Sequence, residues 1–192
     1  MKLHARLMTS ALLFLFASAA LAQDRIFTVN PETSDVNFTL SGSDHATHGT
    51  FHVQRGTVNF DLRAPKIAGL VLVSAGSGKT GNDTRDKKMT TDVLDVAHFA
   101  DVTFVPNSYQ GTIAPSGDST IQVTGVFTLH GTPHDLTVPM QLHLNGANCT
   151  AGTTFTVPYV EWGLKDPSFF IFRVAKEVEI NLKLVGSLSS AR

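Results

Sequence analysis

The chain has 192 residues, of which 42% are hydrophobic and 16% are charged, and this composition excludes an intrinsically disordered protein. The length is typical of one domain rather than two. The formal net charge of −1 gives no electrostatic support for nucleic-acid binding, so we expect no nucleic-acid partner.

Residues 1–22 have the three parts of an export signal. Lys2 and Arg6 provide a positively charged start, a short apolar run follows, and a small-residue cleavage pattern ends at Ala22. The apolar run is shorter than the roughly 20 residues that a membrane-spanning helix needs. We therefore expect a cleaved signal, one domain over residues 23–192, and no stable membrane insertion afterwards. The protein would be periplasmic in a bacterium and secreted otherwise.

Apolar and polar residues alternate with a period of two through most of the remaining chain, roughly from Ile26 to Val185. Each alternating run predicts a strand with one buried face and one exposed face, as in antiparallel sheets. Turn residues separate the runs at hairpin spacing, as at Gly131-Thr132-Pro133. The apolar positions of the five clearest runs are Val36, Phe38 and Leu40; Val58, Phe60 and Leu62; Ile121, Val123, Phe127 and Leu129; Leu136, Val138, Met140, Leu142 and Leu144; and Val178, Ile180, Leu182 and Leu184.

One stretch breaks this period and predicts a short helix from about Arg85 to Val96. Asn82 and its neighbours can cap it, and Met89 and Val93 follow at helical spacing. With about eight to ten antiparallel strands, the chain is predicted to be all-β, either a sandwich or a closed barrel. Alternation does not distinguish a barrel filled by its own side chains from one that keeps a cavity.

The interior of the fold is predicted from the apolar parity of each strand, and the helix is expected to cover one end. The predicted interior and ligand-lining residues are Phe38, Phe51, Phe60, Phe104, Phe127, Leu129, Val138 and Phe155 from the strands, and Met89 and Leu94 from the helix.

A glycine-rich stretch from Gly76 to Gly81 resembles nucleotide-binding loops. It fits the pattern G-x-G-x-x-G, but a phosphate-binding loop would also need glycine where the chain has Val73. The dinucleotide pattern needs a parallel strand–helix–strand unit, and the surrounding runs predict antiparallel strands. We interpret the stretch as a glycine-rich turn.

The histidines offer an alternative function, because imidazole is the commonest transition-metal ligand in proteins. His48 and His52 share the exposed face of a predicted strand, and no cluster of Glu or Cys completes a ligand set. Loop or rim histidines are the simpler interpretation. The weak metal candidates are His45, His48, His130 and His134.

Catalytic patterns are weaker still. The chain has no G-x-S-x-G elbow, and no nucleophile stands at an identifiable spacing from a base. Arg85 and Asp86 lie beside the predicted helix cap, where we expect them to anchor the helix to a neighbouring loop. Cys149 is the only cysteine, so no intramolecular disulfide can form. We therefore expect a protein that is not an enzyme.

Three blocks, in this order along the chain, resemble the YceI-like family of exported polyisoprenoid-binding proteins. Thr33 stands where the family often has histidine, and residues 158–168 do not match its better-known members, which indicates a divergent branch. The blocks are Val29-Asn30-Pro31-x-x-Ser34-x-Val36-x-Phe38 with His48-Gly49-Thr50-Phe51; Asn82-x-x-Arg85-Asp86-x-Lys88-Met89 continuing to Phe104; and Val123-x-Gly125-x-Phe127-Thr128-Leu129-His130-Gly131.

The resemblance implies a single antiparallel, lipocalin-like barrel that holds a polyisoprenoid or isoprenoid-quinone chain and needs no other cofactor. The implied role is to bind and carry an apolar lipid, as a monomer or homodimer. Two alternatives remain open at this point: a histidine-based metal-binding or redox-linked protein, and a filled barrel that serves as a structural module.

Overall fold

The computed structural model describes residues 24–168 and 173–190, so the predicted export signal at residues 1–22 lies outside the described residues. Nine antiparallel strands and one short helix make up the described chain. In chain order the strands are β1 (Asp24–Val29), β2 (Asp35–Leu40), β3 (Thr47–Asp61), β4 (Ile67–Lys79), β5 (Asp101–Gln110), β6 (Gly117–Leu129), β7 (Thr132–Asn145), β8 (Asn148–Val157) and β9 (Val178–Ser190).

The strands close into an eight-stranded antiparallel barrel, which confirms the predicted fold. Strands β2 to β9 pair in chain order, and β9 then pairs with β2 to close the ring. Strand β1 continues the line of β2, because both lie between β3 and β9. Closure leaves the sheet without a free edge, and it decides between the sandwich and the barrel that alternation left open.

The break between β1 and β2 is a 3₁₀ turn at Pro31–Thr33 that is bonded to β9. The Asn30 N–H donates to the carbonyl of Val185 at 2.8 Å. The buried Ser34 hydroxyl donates to the Asn30 carbonyl at 2.8 Å and accepts from the Val185 N–H at 3.0 Å. These bonds satisfy the backbone groups that the interruption removes from the sheet ladder.

The β6–β7 hairpin turns at His130 and Gly131, which have φ values of 51° and 74°. Two consecutive residues with positive φ are the mark of a type I′ turn, whose twist matches that of the flanking strands. The observed turn therefore begins one residue earlier than the predicted Gly131-Thr132-Pro133 turn, because Thr132 and Pro133 already belong to β7.

The helix α1 (Asp83–Lys88) continues as a π-helical turn over Met89–Val93, so it begins and ends slightly before the predicted limits. The Asn82 side chain caps it by accepting from the Arg85 N–H at 3.0 Å. The Thr90 and Thr91 hydroxyls donate to carbonyls of the preceding turn. Such side-chain bonds compete with the regular helical ladder and account for the widened turn.

Gly76 to Lys79 of the glycine-rich stretch form a bulged end of β4, and Thr80 and Gly81 alone lie outside the strand, where Gly81 has a φ of 76°. Thr50 of β3 faces Lys79, whereas His52 faces Ser74, so β4 carries extra residues between these pairs. The Ser77 hydroxyl holds the bulge, because it accepts from the His52 N–H at 2.8 Å and donates to the Ser74 carbonyl at 2.7 Å. A side chain at Gly78 would meet Met89 and the Phe51 ring.

Candidate functional site: an apolar cavity inside the barrel

The barrel encloses a cavity of about 630 Å³. This volume falls within the roughly 300–1,000 Å³ typical of small-molecule sites. The barrel therefore keeps a cavity, which answers the question that alternation left open.

All ten residues that the sequence predicted to line the interior lie on the cavity wall. Phe127 and Phe155 meet edge to face with ring centroids 6.0 Å apart, and Phe38 and Phe51 lie 5.4 Å apart. Period-two parity placed the strand residues correctly because successive side chains of a strand point to opposite faces of a sheet. That these residues contact a ligand stays a prediction. The ten are Phe38, Phe51, Phe60, Met89, Leu94, Phe104, Phe127, Leu129, Val138 and Phe155.

One end of the cavity, called the closed end below, is lined by buried apolar side chains. Ile113, in the β5–β6 connection, is 3% exposed and lines the cavity there, together with Cys149. Nearby, the Tyr109 hydroxyl bonds to the carbonyls of Asp61 and Ala64, which fastens the β3–β4 connection. Burial raises the pKa of the Cys149 thiol to about 11, so this group is neutral at physiological pH.

The opposite end, called the mouth below, carries most of the polar side chains of the wall. Strand ends at Leu40, Lys79 and Val157 mark this end, and α1 spans it between β4 and β5. The segment after β8 contributes apolar groups here. The polar wall residues from α1 and its flanks are Thr80, Asn82, Thr84, Arg85 and Lys88, and the apolar ones after β8 are Tyr159, Leu164, Pro167 and Val174.

Arg85 and Asp86 fix α1 at the mouth through Thr80. The buried Asp86 carboxylate accepts from the Thr80 N–H at 2.8 Å and from its hydroxyl, and lies 3.7 Å from the Lys79 ammonium. Arg85 donates to the Thr80 hydroxyl at 2.9 Å and to its carbonyl at 3.1 Å. The bond from the Thr80 hydroxyl is the main reason why the pKa of Asp86 lies below its usual value. These contacts confirm the anchoring predicted for the pair.

Thr153 places one hydroxyl deep in the wall, midway along β8. The residue is 7% exposed, and its Oγ1 atom has no hydrogen-bond partner among the described residues. A buried hydroxyl without a partner costs free energy, so this position is a source of instability in the unliganded protein. Its neighbours on the inner face of β8, Ala151 and Phe155, are apolar.

The four histidines named as weak metal candidates contact different neighbours. His45 lies 3.0 Å from Asp44, and His48 lies 3.1 Å from the Thr39 hydroxyl. His130 packs on the ring of Phe99, and His134 stacks on Trp162 with ring centroids 3.9 Å apart. Within residues 24–168 and 173–190, no three His, Cys, Asp or Glu side chains come together in a group that could hold a metal ion.

Sequence reasoning missed several wall residues. Arg85 and Lys88 line the cavity as well as belonging to the helix, and the segment that contributes Tyr159 and Leu164 has no period that indicates its position. Phe27 of β1 could have been found, because it alternates with polar Thr28. The Tyr159 hydroxyl donates to the Ala175 carbonyl at 2.8 Å, which joins both arms of the β8–β9 connection.

No helix in the described part of the chain combines the length and the apolar character that crossing a membrane requires.

Comparison with known proteins places the chain among similar sequences. A UPF0312 protein of Pseudomonas savastanoi pv. phaseolicola is 29% identical over 162 residues, covering 80% of this chain and 82% of that protein. A second, from Pseudomonas putida, is 30% identical over 128 residues, covering 62% and 65% of the two chains. The identity is low enough for the divergent branch that the departures at Thr33 and residues 158–168 indicate.

Solved structures share the barrel. BcnA of Burkholderia cenocepacia superposes with a TM-score of 0.67 at 23% identity, covering 82% of this chain and 99% of that one. A polyisoprenoid-binding domain from Saccharophagus degradans, implicated in plant cell wall breakdown, gives 0.63 at 13% identity over 86% and 98%. The YceI protein of Campylobacter jejuni gives 0.56 at 13% identity over 97% and 98%. These likenesses show a common fold.

The match to the YceI-like domain extends over residues 27–186, which includes all or part of every strand of the barrel and the whole of α1. The chain belongs to the YceI-like domain family.

Proposed function

We propose that the protein is a carrier that binds one long apolar chain, such as a polyisoprenoid or the tail of an isoprenoid quinone, inside the barrel. The observation that carries this proposal is the 630 Å³ cavity, whose wall is apolar from the closed end up to the mouth except at Thr103 and Thr153. An apolar space with polar groups at one end suits a molecule with a long tail and a small polar head.

The free energy available from such a wall is sufficient for binding without specific polar contacts. Burying about ten carbon atoms at ~0.8 kcal/mol each gives roughly 8 kcal/mol before association costs. That gross value corresponds to a dissociation constant on the micromolar scale. Aromatic side chains such as Phe104, Phe127 and Phe155 contribute large contact areas to the wall.

The relatives support the same chemistry. The Saccharophagus degradans domain, which shares the barrel, is described as polyisoprenoid-binding. Its wall need not match this one residue by residue, because van der Waals contact with a flexible chain requires apolar surface and volume more than particular side chains.

The polar groups of the wall support binding rather than catalysis. Arg85 is engaged with Thr80, and the Tyr159 hydroxyl donates to a carbonyl. Burial and the charge of Asp166 raise the pKa of Tyr159 to about 12, which makes it a poor general base. We therefore infer a role in storing, shielding or carrying a water-insoluble chain, with no covalent bond broken.

We infer further that this role is carried out after export, because residues 1–22 have the form of a cleaved signal. The measurement is the intact mass of the protein recovered from the exported fraction of its host. The expected mass corresponds to a chain that begins at Gln23. A full-length chain retained in the cytoplasm would contradict export and leave the binding proposal to its own test.

The binding proposal is tested by native mass spectrometry of protein purified without detergent, followed by mass analysis of an organic extract. We expect one apolar molecule per chain, released by the solvent. A metal assay on the same sample tests the histidine alternative. Protein that carries no such molecule, and takes none up when offered isoprenoid alcohols, would contradict the proposal and favour a structural module.

A further inference from the structure

The charged side chains that line the cavity all have the same sign. Among the described residues, two charged side chains line the wall, Arg85 and Lys88, and both are cations on α1. They lie at positions i and i+3 of the helix, a spacing that places side chains on one face. No carboxylate of the described chain belongs to the wall.

Arg85 is held in place by two hydrogen bonds and keeps further N–H donors free. Its Nε donates to the Thr80 hydroxyl and its Nη2 to the Thr80 carbonyl. A guanidinium has five N–H donors, so these two bonds leave its outer side able to bind another group. The side chain is partly buried and fixed at both contacts, which reduces the entropy that a further hydrogen bond would cost.

Lys88 is an exposed residue on the same wall. Within the part of the chain that the structure describes, its ammonium forms no ion pair, whereas Lys79 is paired with Asp86. The Asp86 carboxylate is already occupied by Thr80 and Lys79, so it does not neutralise Lys88. The mouth therefore presents two cations next to an apolar cavity.

We propose that the cavity selects amphiphiles with an anionic head group, a carboxylate or a phosphate monoester, whose chain lies in the barrel and whose head is bound by Arg85 and Lys88. This inference rests on the proposed binding of an apolar chain. A guanidinium can bind either head group with two parallel hydrogen bonds, and the ammonium adds a second charge. A cationic head would be repelled at the same place, and a neutral head would be indifferent to both cations.

The test compares laurate, lauryl alcohol and lauryl amine at neutral pH, below their aggregation concentrations, because the three share one chain and differ in head-group charge. Binding is followed by the fluorescence of Trp162, the single tryptophan of the sequence. Its ring centroid lies 5.8 Å from that of the wall residue Phe127. We expect the wild type to bind laurate about five-fold more tightly than the alcohol, and the amine more weakly than either, as for partly exposed ion pairs.

Charge reversal at the mouth supplies the decisive comparison. Lys88→Glu should remove the preference of the protein for laurate over the alcohol and strengthen amine binding several-fold relative to the alcohol. Lys87→Glu is the matched control, because Lys87 precedes Lys88 on the same helix, makes the same change in net charge and does not line the cavity. Its order of affinities should remain that of the wild type. Lys88→Gln removes the positive charge without adding a negative one, so its preference for laurate over the alcohol should be intermediate.

Two failures are distinguishable. If the wild type binds none of the three probes, the proposed function is wrong. If all three bind with equal affinity, or if Lys88→Glu and Lys87→Glu shift the order equally, the chain-binding function stands and the head-group inference is overturned. If the wild type prefers laurate as expected, lauryl phosphate identifies the anion. Tighter binding of lauryl phosphate than of laurate supports a phosphate head group, and weaker binding supports a carboxylate.

Discussion

The ring of Phe38 occupies the space in which a side chain at Gly49 would lie. The two residues face each other across β2 and β3, and a Cβ atom at residue 49 would overlap the Phe38 ring and approach the Lys79 carbonyl oxygen to 2.5 Å. The missing side chain lets Phe38 lean towards Phe51 on the cavity wall. A glycine on one strand therefore shapes the aromatic wall on the next.

Gly49→Ala should lower the free energy of unfolding by about 1–3 kcal/mol, as for other overpacked sites. Chemical denaturation with urea measures the change. Gly76→Ala is the control, because the nearest atom to its added Cβ would be 4.0 Å away, and its effect should stay within about 0.5 kcal/mol. Adding Phe38→Leu to Gly49→Ala should recover part of the lost free energy of unfolding. Equal effects of Gly49→Ala and Gly76→Ala would show that the Phe38 ring does not depend on the missing side chain at residue 49.

The ionisation of Asp86 should make part of the free energy of unfolding depend on pH. Its pKa in the folded protein lies below the ordinary 3.8, chiefly through the bond from the Thr80 hydroxyl. The ionised carboxylate therefore stabilises the fold above the ordinary pKa, and this contribution is lost as the pH falls through the lower, folded-state pKa. The difference in Tm between the wild type and Asp86→Asn should be constant above about pH 5 and shrink in acid.

Thr80→Val removes the donor of that bond and should flatten the same part of the pH profile. Thermal unfolding from neutral pH into acid, followed by circular dichroism, gives both comparisons. A difference in Tm that widened in acid would show that the Asp86 carboxylate does not stabilise the mouth in its ionised form.

Cys149 should be inert in the folded protein. Its thiol is 3% exposed, and with a pKa of about 11 only about one thousandth of it is ionised at pH 8. Ellman's reagent should detect no thiol in the native protein within minutes and one thiol per chain in guanidinium chloride. Rapid reaction of the native protein would mean that the closed end of the cavity is open to solvent.

Thr153→Val should raise the stability of the unliganded protein by about 1–3 kcal/mol, because it replaces a buried hydroxyl that has no partner in the described structure with a group of the same shape. Thr154→Val is the control, since Thr154 lies on the outer face and accepts a hydrogen bond from Asn181 at 2.8 Å. Urea unfolding should show the gain only at residue 153. A loss of stability there would indicate that the hydroxyl is bonded in solution.

The sequence predicted the barrel wall better than the barrel mouth, and the reason is physical. Phe127 and Phe155 lie on strands, where a local period of two decides which face is buried. Tyr159 and Leu164 reach the wall from an irregular segment, and their position depends on contacts such as the Tyr159 bond to Ala175, which are distant in sequence. Local pattern contains no information on those contacts.

The volume of the cavity could not be predicted from the sequence either. Strand alternation shows which side chains point inward, but the space between them depends on strand tilt and stagger around the closed ring. Arg85 shows a related limit: its place beside a helix cap predicted an anchoring role, and the structure adds that the same side chain lines the cavity. One residue can serve both purposes when the helix it anchors spans the mouth.

Binding of an apolar chain inside the barrel can be measured by calorimetric titration of the ligand-free protein with farnesol, at several temperatures, in the wild type and two variants. Val123→Phe adds a ring inside the cavity, and Val105→Phe adds the same ring outside, where Val105 is 42% exposed. We expect one micromolar site with a negative heat-capacity change in the wild type and in Val105→Phe, and at least ten-fold weaker binding in Val123→Phe. A wild type that binds no farnesol, or a Val123→Phe variant that binds it as tightly as Val105→Phe, would contradict binding inside the barrel.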